Sequence, residues 1–230
     1  MVKRALLLVL LLIPGVLWGD VSRDKPLGRI DSAAAVLKEI MEAPDAGIPE
    51  EILNSSKCIA VVPSMLNAAF VFGGNYGKGV ASCRTEHGWS APAFFNLKGG
   101  SFGFQVGGQA VDLIMVIMNE QGMQHLLSSK FELGADASGA AGPVGRHVEG
   151  GTDWKLRAQV LTYSRARGVF AGVSLKGAVL TQNKDDTRAF YGRMIPFRTL
   201  LTGLAAATAD SQPFLGELNK YNQSGAAGGK

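Results

Sequence analysis

The chain has 230 residues with a formal net charge of +4; 47% of its residues are hydrophobic and 18% are charged. This length and apolar content predict one folded domain with a sizeable core, and they exclude an intrinsically disordered chain. The small positive charge lacks the basic excess that is typical of nucleic-acid-binding domains, so no nucleic-acid partner is expected.

Residues 1–19 have the composition of a secretory signal peptide. Lys3 and Arg4 precede an apolar run from Ala5 to Ile13, which is too short to span a bilayer. Removal of this segment takes both basic residues and no acidic one, and it leaves a mildly basic mature chain. We therefore expect an exported protein that is periplasmic or associated with an envelope membrane.

An amphipathic helix is predicted from Asp31 to Ala43, because apolar residues recur there at three- and four-residue spacing. This helix either packs on the core as an ordinary structural element or also inserts into a membrane interface. A second, short helix begins at Pro49 and completes a helical N-terminal part over residues 31–53.

The next part of the chain, residues 58–181, is predicted to be rich in β-strands. An apolar run from Ile59 to Val62 is expected to end at Pro63. Three glycines that follow share one parity, so in an extended chain they lie on a face that another backbone, an aromatic ring or a ligand can approach closely. They are Gly73, Gly77 and Gly79.

Glycines next to aromatic residues recur at residues 99–108 and 168–177 without a fixed repeat length. Such segments are typical of bent or bulged strands. We therefore predict an α+β fold, in which a curled, glycine-rich antiparallel β-sheet or a small barrel carries an N-terminal amphipathic helix and a few short flanking helices. Residues 195–230 are predicted to form a C-terminal helical segment, over Thr199–Ala209, and a flexible tail.

Cys58 and Cys83 are the two cysteines of the chain. In an exported protein this even count suggests a disulfide bond, which would close a loop of about 26 residues and contribute ~3 kcal/mol in the chain-entropy model. Two buried thiols on adjacent strands are the alternative.

A carboxylate, Asp112, lies inside the apolar run from Ala110 to Asn119. Such a group needs hydrogen bonds or a cation, so Asp112 is either a satisfied structural residue or part of a ligand site. Arg146 ends a loop of small residues; it binds an anionic headgroup in one interpretation and pairs with an internal acid such as Asp112 in the other.

No catalytic or metal-binding motif emerges from the residue spacing. The glycines after Phe72 lack the Walker A pattern, and no G-x-S-x-G elbow is present. The histidines His87, His125 and His147 do not have the spacing of a zinc motif. We expect no enzyme activity, no catalytic residue, no metal and no cofactor.

The chain resembles the SYLF domain family through short motifs that follow the family order from about Asp31 to Gly192. The matching segments are Gly47–Pro49, Cys58–Pro63, Gly73–Gly74, Gly77, Gly79, Gly88–Pro92, Gly99–Ser101, Gln105–Gly107, Asp112, Ala140–Arg146, Tyr163–Ser164 and Gly168–Leu175. The resemblance implies a SYLF-like lipid-binding domain at residues 20–194. Within it we assign structural roles to Gly73, Gly77, Gly79, Asp112, Gly142 and Pro143.

A SYLF domain implies a non-enzymatic module that binds acidic phospholipids, phosphoinositides in eukaryotic relatives, through basic residues and an amphipathic N-terminal helix. Some eukaryotic members also bind actin. Because this chain carries an export signal, actin is not expected as its partner, and phosphatidylglycerol or cardiolipin is the expected lipid if the source is bacterial.

Anionic headgroups are expected to contact basic residues on the first helix, in the glycine-rich segment and near the last hairpin. These candidates are Lys25, Arg29, Lys38, Lys78, Arg146, Arg165, Arg167 and Lys176. A structural or assembly protein of the envelope, which would act through exposed strand edges, is the alternative function.

Overall fold

The computed structural model describes residues 22–43, 47–70, 72–101, 107–128, 130–142, 158–166, 169–170 and 175–227. It confirms the α+β fold, since a strongly curled ten-stranded sheet carries helices on both faces. The strands are β1 (Cys58–Phe70), β2 (Phe72–Thr85), β3 (Gly88–Trp89), β4 (Ala93–Ser101), β5 (Gly107–Ile117), β6 (Lys130–Glu132), β7 (Gly139–Ala141), β8 (Val160–Ala166), β9 (Val169–Phe170) and β10 (Val179–Gln182).

The strands lie in the order β6-β10-β4-β2-β1-β5-β8-β7, with β3 paired to β2 and β9 paired to β8. The ladders are antiparallel except that of β7 and β8, so the sheet is mixed. This parallel pair is possible because a long connection, and not a hairpin, joins Ala141 to Val160. Among the described residues no ladder joins the edge strands β6 and β7, so the sheet forms a half-barrel.

The bounds of the helices in the described chain differ from the sequence prediction, among other places at the start of the first helix. The helices are α1 (Asp24–Met41), α2 (Glu50–Ser55), α3 (Glu120–Leu126), α4 (Lys184–Tyr191), α5 (Phe197–Leu201) and α6 (Gln212–Ala227), with a 3-10 turn at Ala209–Ser211. α1 starts well before Asp31 because Pro26 lies in its first turn, where the backbone needs no N–H donor.

The C-terminal segment packs into the same core as the rest of the described chain. Gly203, with φ of 78°, follows α5 in the left-handed conformation, so the helix predicted over Thr199–Ala209 is interrupted there. α6 then continues into the segment that was predicted to be a flexible tail. Its buried residues against α1 and α2 are Phe214, Leu215 and Leu218.

A β-bulge lies at Pro63, where the sequence predicts the end of a strand. β1 continues past this residue, and its register against β5 shifts between Val62 and Met65. Ser64 adopts a left-handed conformation with φ of 50°. Because proline has no N–H to donate, it is tolerated at such an interruption of the ladder. The prediction that Pro63 ends the strand is therefore wrong.

Buried apolar residues cover both faces of the sheet, because successive residues of a strand point to opposite sides. β4, for example, directs Phe94 to the side that packs against α1, α2, α4 and α6, and Phe95 to the side that packs against α3 and α5. We call the first side the α1 face. The apolar residues of α1 are buried against it.

The two ends of the sheet carry different features. At the disulfide end, Cys58 lies opposite Cys83 on adjacent strands and is bonded to it. At the hairpin end, the last residue of β1 lies opposite the first residue of β2, and β4 and β5 place Ser101 and Gly107 beside this pair. The end of β8 and the start of β10 lie at the hairpin end as well.

The glycines of β2 face neighbouring groups of the same sheet. A Cβ at Gly77 would lie 2.3 Å from Val62 Cγ1. A Cβ at Gly79 would lie 2.4 Å from Phe95 Cζ and 2.5 Å from the Val61 carbonyl oxygen. At these two positions an aromatic ring and an adjacent strand occupy the space that the missing side chains leave.

We expect Gly79→Ala to lower the free energy of unfolding by about 1–3 kcal/mol or more, because the new methyl group would overlap a backbone oxygen of β1. Urea unfolding followed by circular dichroism measures the change. Gly28→Ala is the matched control, since its Cβ would meet nothing within 4 Å in α1 and alanine favours a helix interior. Equal losses of stability in both variants would contradict this packing.

Candidate membrane-facing surface

The first helix does not present a basic face. Lys25 lies exposed in its first turn, and Lys38 lies exposed in its last turn, 3.9 Å from Glu42. The two lysines are about 20 Å apart along the axis and point in different directions around it. A flat membrane therefore cannot contact both while α1 stays packed on the sheet.

The sequence pattern predicts an exposed Arg29 on α1, but the structure shows this side chain largely buried. Its side chain is 13% exposed and forms an ion pair with Asp186 of α4, which is 5% exposed. Asn183 donates from its amide to the same carboxylate and to Asn96 Oδ1 at 3.1 Å. In this structure Arg29 therefore joins α1 to α4 and the sheet.

Arg165 is also engaged inside the protein. It forms an ion pair with Glu39 of α1, and its own side chain is 17% exposed. It lies opposite Asp112 in the β5–β8 ladder. Arg146 and Arg167 lie outside the described residues.

Asp112 has a structural partner in the bulge of β1. Its Oδ1 accepts a hydrogen bond of 2.9 Å from the Ser64 backbone N–H, which is the amide that the register shift removes from the ladder. This contact meets the need of a half-buried carboxylate for a donor. At Gly142 a Cβ would lie 2.1 Å from the ring of Tyr163, so a close ring approach requires glycine there, while Pro143 lies outside the described residues.

Lys176 lies exposed at the hairpin end, in the turn before β10. The turn packs against Gly134, whose Cβ would lie 3.0 Å from Lys176 Cγ. Leu133 and Leu175 line a cleft of about 370 Å³ beside it. An exposed acid, Asp136, lies two residues after Gly134, and its carboxylate accepts a hydrogen bond of 2.7 Å from the Glu132 backbone N–H.

Four side chains form a surface at the hairpin end that we call the hairpin face. Leu66, Tyr76 and Lys98 are directly opposite one another on β1, β2 and β4, and Lys78 follows on the same side of β2. Alternation from the buried Val80 places them on the α1 face, beyond the area that α1 covers. Leu66 is 57% exposed and Tyr76 is 42% exposed.

The charge of the hairpin face is positive, and no acid among the described residues forms an ion pair with it. Lys98 Nζ lies 5.8 Å from the centre of the Tyr76 ring, and neither Lys78 nor Lys98 forms an ion pair with a described residue. The nearby acids on the α1 face are engaged, Asp112 with Ser64 and Glu39 with Arg165.

Sequence reasoning identified Lys78 on the hairpin face but not Lys98, Leu66 or Tyr76. The register of the strands brings these residues together, and no local pattern reveals that register. The predicted basic residues do not gather into one site in the described structure. Lys78 and Lys176 share the hairpin end, whereas Lys25 and Lys38 lie at opposite ends of α1.

The described residues bring no catalytic arrangement together. A second cleft, of about 530 Å³, lies between the β2–β3 turn and residues 202–207. His87 and Ser90 both line it, but no hydrogen bond joins their side chains, and Ser90 Oγ accepts from the Cys83 N–H at 3.0 Å. In the described part of the chain no group of three or more His, Cys, Asp or Glu residues could hold a metal ion.

None of the helices in the described ranges has the length and apolar character needed to cross a membrane.

Arg84 stacks on Trp89 at 4.5 Å and donates to the backbone oxygens of Ser56 and Leu53, both at 2.9 Å. Burial lowers the pKa of the Arg84 guanidinium. This cation therefore anchors α2 to β2.

Comparison with known proteins gives consistent matches. The family model of the Las17-binding protein actin regulator, Ysc84, matches residues 98–221, more than half of the chain. SH3 domain-containing YSC84-like protein 1 of Rattus norvegicus is 31% identical over 198 residues, which cover 83% of this chain and 58% of that protein.

Two fungal relatives match over similar lengths. An SH3 domain-containing protein of Schizosaccharomyces pombe is 33% identical over 202 residues, 86% of this chain and 46% of that protein. Protein YSC84 of Saccharomyces cerevisiae is 30% identical over 192 residues, 80% of this chain and 41% of that protein. The chain thus spans about half the length of these curated relatives.

The family match runs from β4 to α6, and it includes Lys98 of the hairpin face and the C-terminal helix that packs on α1. The alignments with the relatives extend over most of the chain. The chain therefore belongs to the Ysc84 family, the family of the SYLF domain.

Proposed function

We propose that this protein is a peripheral, non-enzymatic domain that binds anionic phospholipid surfaces through Lys78 and Lys98. The observation that carries the proposal is the hairpin face, where two lysines without acidic partners among the described residues flank exposed Tyr76 and Leu66. Arg29 and Arg165, by contrast, are engaged with acids of the protein itself.

The expected strength follows from the number of lysines. Each basic residue near an anionic membrane contributes about 1 kcal/mol, so Lys78 and Lys98 together account for roughly 2 kcal/mol, or a factor of about 30 in the partition coefficient. Because these charges are near the surface, added salt screens their attraction to the membrane, and at 0.1 M the attraction extends only about 10 Å, the Debye length.

An exported location fits the same proposal. Residues 1–19 have the composition of a signal peptide, and the Cys58–Cys83 bond is typical of oxidising compartments. In a bacterial envelope the anionic lipids would be phosphatidylglycerol or cardiolipin. In that location cytosolic actin is not the partner, although the family description names an actin regulator.

Vesicle co-sedimentation of residues 20–230 tests the proposal. We expect binding to vesicles that contain phosphatidylglycerol, little binding to pure phosphatidylcholine, and weaker binding at high salt. Lys78→Ala with Lys98→Ala should lower the partition coefficient by about 30-fold. The matched control, Lys57→Ala with Lys184→Ala, removes two exposed lysines that lie away from the hairpin end and should retain binding close to wild type. Equal losses in the two double variants, or no wild-type binding, would contradict the proposal.

A second function, assembly with other envelope proteins, is favoured by the edge strand β7. All three of its residues, Gly139–Ala141, are exposed, and they line the cleft beside Leu133 and Leu175. An exposed edge of small residues accepts an added strand from another chain. A stable oligomer that does not sediment with vesicles would support this second function.

A further inference from the structure

We infer that Leu66 and Tyr76 enter the membrane interface, so that the hairpin end of the sheet meets the lipid while α1 stays packed. This inference rests on the proposed function and adds the apolar contact and the orientation of the domain. The four residues of the hairpin face carry it.

The helix cannot insert its apolar stripe without losing its place in the fold. Ile30, Ala33, Leu37 and Ile40 are at most 1% exposed. Two other residues of α1, Arg29 and Glu39, form ion pairs with Asp186 and Arg165, respectively. Release of α1 would expose these apolar residues and break both ion pairs, whereas Leu66, Tyr76 and Lys98 of the hairpin face are already exposed.

The hairpin face concentrates the apolar surface of the described residues. Leu66, Tyr76 and Leu204 are their large exposed hydrophobic side chains. Leu66 and Tyr76 are directly opposite each other in the β1–β2 ladder, so their Cβ atoms are about 5 Å apart. Leu204 lies elsewhere, in the loop beside the β2–β3 turn.

The side chains of Leu66, Tyr76 and Lys98 suit a membrane interface, and their chemistry indicates an anionic bilayer as the binding partner. A tyrosine ring favours the boundary between headgroups and acyl chains, and a lysine can extend its charge to the headgroups from an apolar base. Lys98 already lies over the Tyr76 ring, and Lys78 is its diagonal neighbour across the β2–β4 ladder. Two lysines that form no ion pair with a described acid, beside two exposed apolar side chains, complement an anionic bilayer.

Fluorescence quenching by brominated lipid tests the orientation. Leu66→Trp places an indole on the hairpin face, and Leu204→Trp places one at an even more exposed apolar position away from it. The signal of the new tryptophan is the fluorescence of the variant minus that of wild type. In phosphatidylglycerol vesicles with brominated acyl chains, we expect this signal to be quenched at least twofold for Leu66→Trp and not to be quenched for Leu204→Trp. Similar quenching in both variants would overturn the inference.

A loss-of-binding experiment separates the inference from the proposed function. Leu66→Ser with Tyr76→Ser should lower the partition coefficient by about tenfold, also at high salt, because the lost contact is apolar and not screened. Leu204→Ser should bind like wild type, and unchanged thermal unfolding of each variant shows that the fold is intact. If wild type sediments with anionic vesicles but the double serine variant binds equally well, the inference is wrong and the proposed function stands. If wild type binds no vesicles and the hairpin face instead captures an acidic protein, both are wrong.

Discussion

Replacement of Arg29 by alanine is expected to lower the free energy of unfolding by about 3–5 kcal/mol, the largest effect that we predict for an ion pair of this protein. The reason is that Asp186 is 5% exposed, and removal of its cation leaves a carboxylate in a poorly solvated place. The Asn183 amide remains as a donor, but it carries no charge. Urea unfolding of the purified variant measures the loss.

The control lies on the same end of α1. Arg23 forms an ion pair with Asp210, but the two side chains are 55% and 41% exposed, so Arg23→Ala should cost at most about 1 kcal/mol. Replacement of the buried pair by apolar residues, Arg29→Met with Asp186→Leu, should recover most of the loss, because no unpaired charge remains. If Arg29→Ala and Arg23→Ala lower the free energy of unfolding equally, the buried ion pair stabilises this fold no more than the exposed one.

This prediction also decides how a binding defect should be interpreted. Arg29 was expected to contact lipid because it is basic and lies on an amphipathic helix. The structure shows that its removal loosens α1 from α4, so a weaker membrane affinity of Arg29→Ala would report unfolding. Lys78 and Lys98 form no ion pair with a described residue, so a weaker membrane affinity of their variants reports on binding itself.

The parts of the fold that follow from local sequence were predictable. Apolar runs separated by glycines indicated a curled sheet, and the parity of Gly77 and Gly79 placed them on one face of β2, where Phe95 and Val61 now approach. Each inference used residues within one strand, where side-chain direction has a period of two.

The candidate surface was not predictable in the same way, because it depends on partners that are distant in sequence. The partner of Arg29 is 157 residues away, and the alignment of Leu66 with Tyr76 and Lys98 depends on a register shift at Ser64. The sequence showed a proline at this point but not that the strand continues through a bulge. Without the bulge, the residues beyond it would point to the opposite faces.

Removal of the disulfide should have the second large effect. Cys58→Ala with Cys83→Ala is expected to lower the free energy of unfolding by about 3 kcal/mol, because the unfolded chain regains the freedom of a loop that spans 25 residue steps. Both cysteines are fully buried between β1 and β2, and alanine avoids placing an unpaired hydroxyl there, as serine would. Chemical unfolding with and without reductant measures the change.

The reductant provides the internal control for this prediction. Wild type in dithiothreitol should lose stability by a similar amount, since its thiols remain buried while the cross-link is gone, and the double alanine variant should not respond to reductant. The registers of β1 and β2 align Cys58 and Cys83 without any need for the bond, so the variant should keep its β-sheet spectrum and the hairpin face. Retained vesicle binding in the weakened variant would then show that the disulfide supports the stability of the sheet from one end while lipid is bound at the other. A variant as stable as wild type would instead mean that strand pairing alone holds this end together.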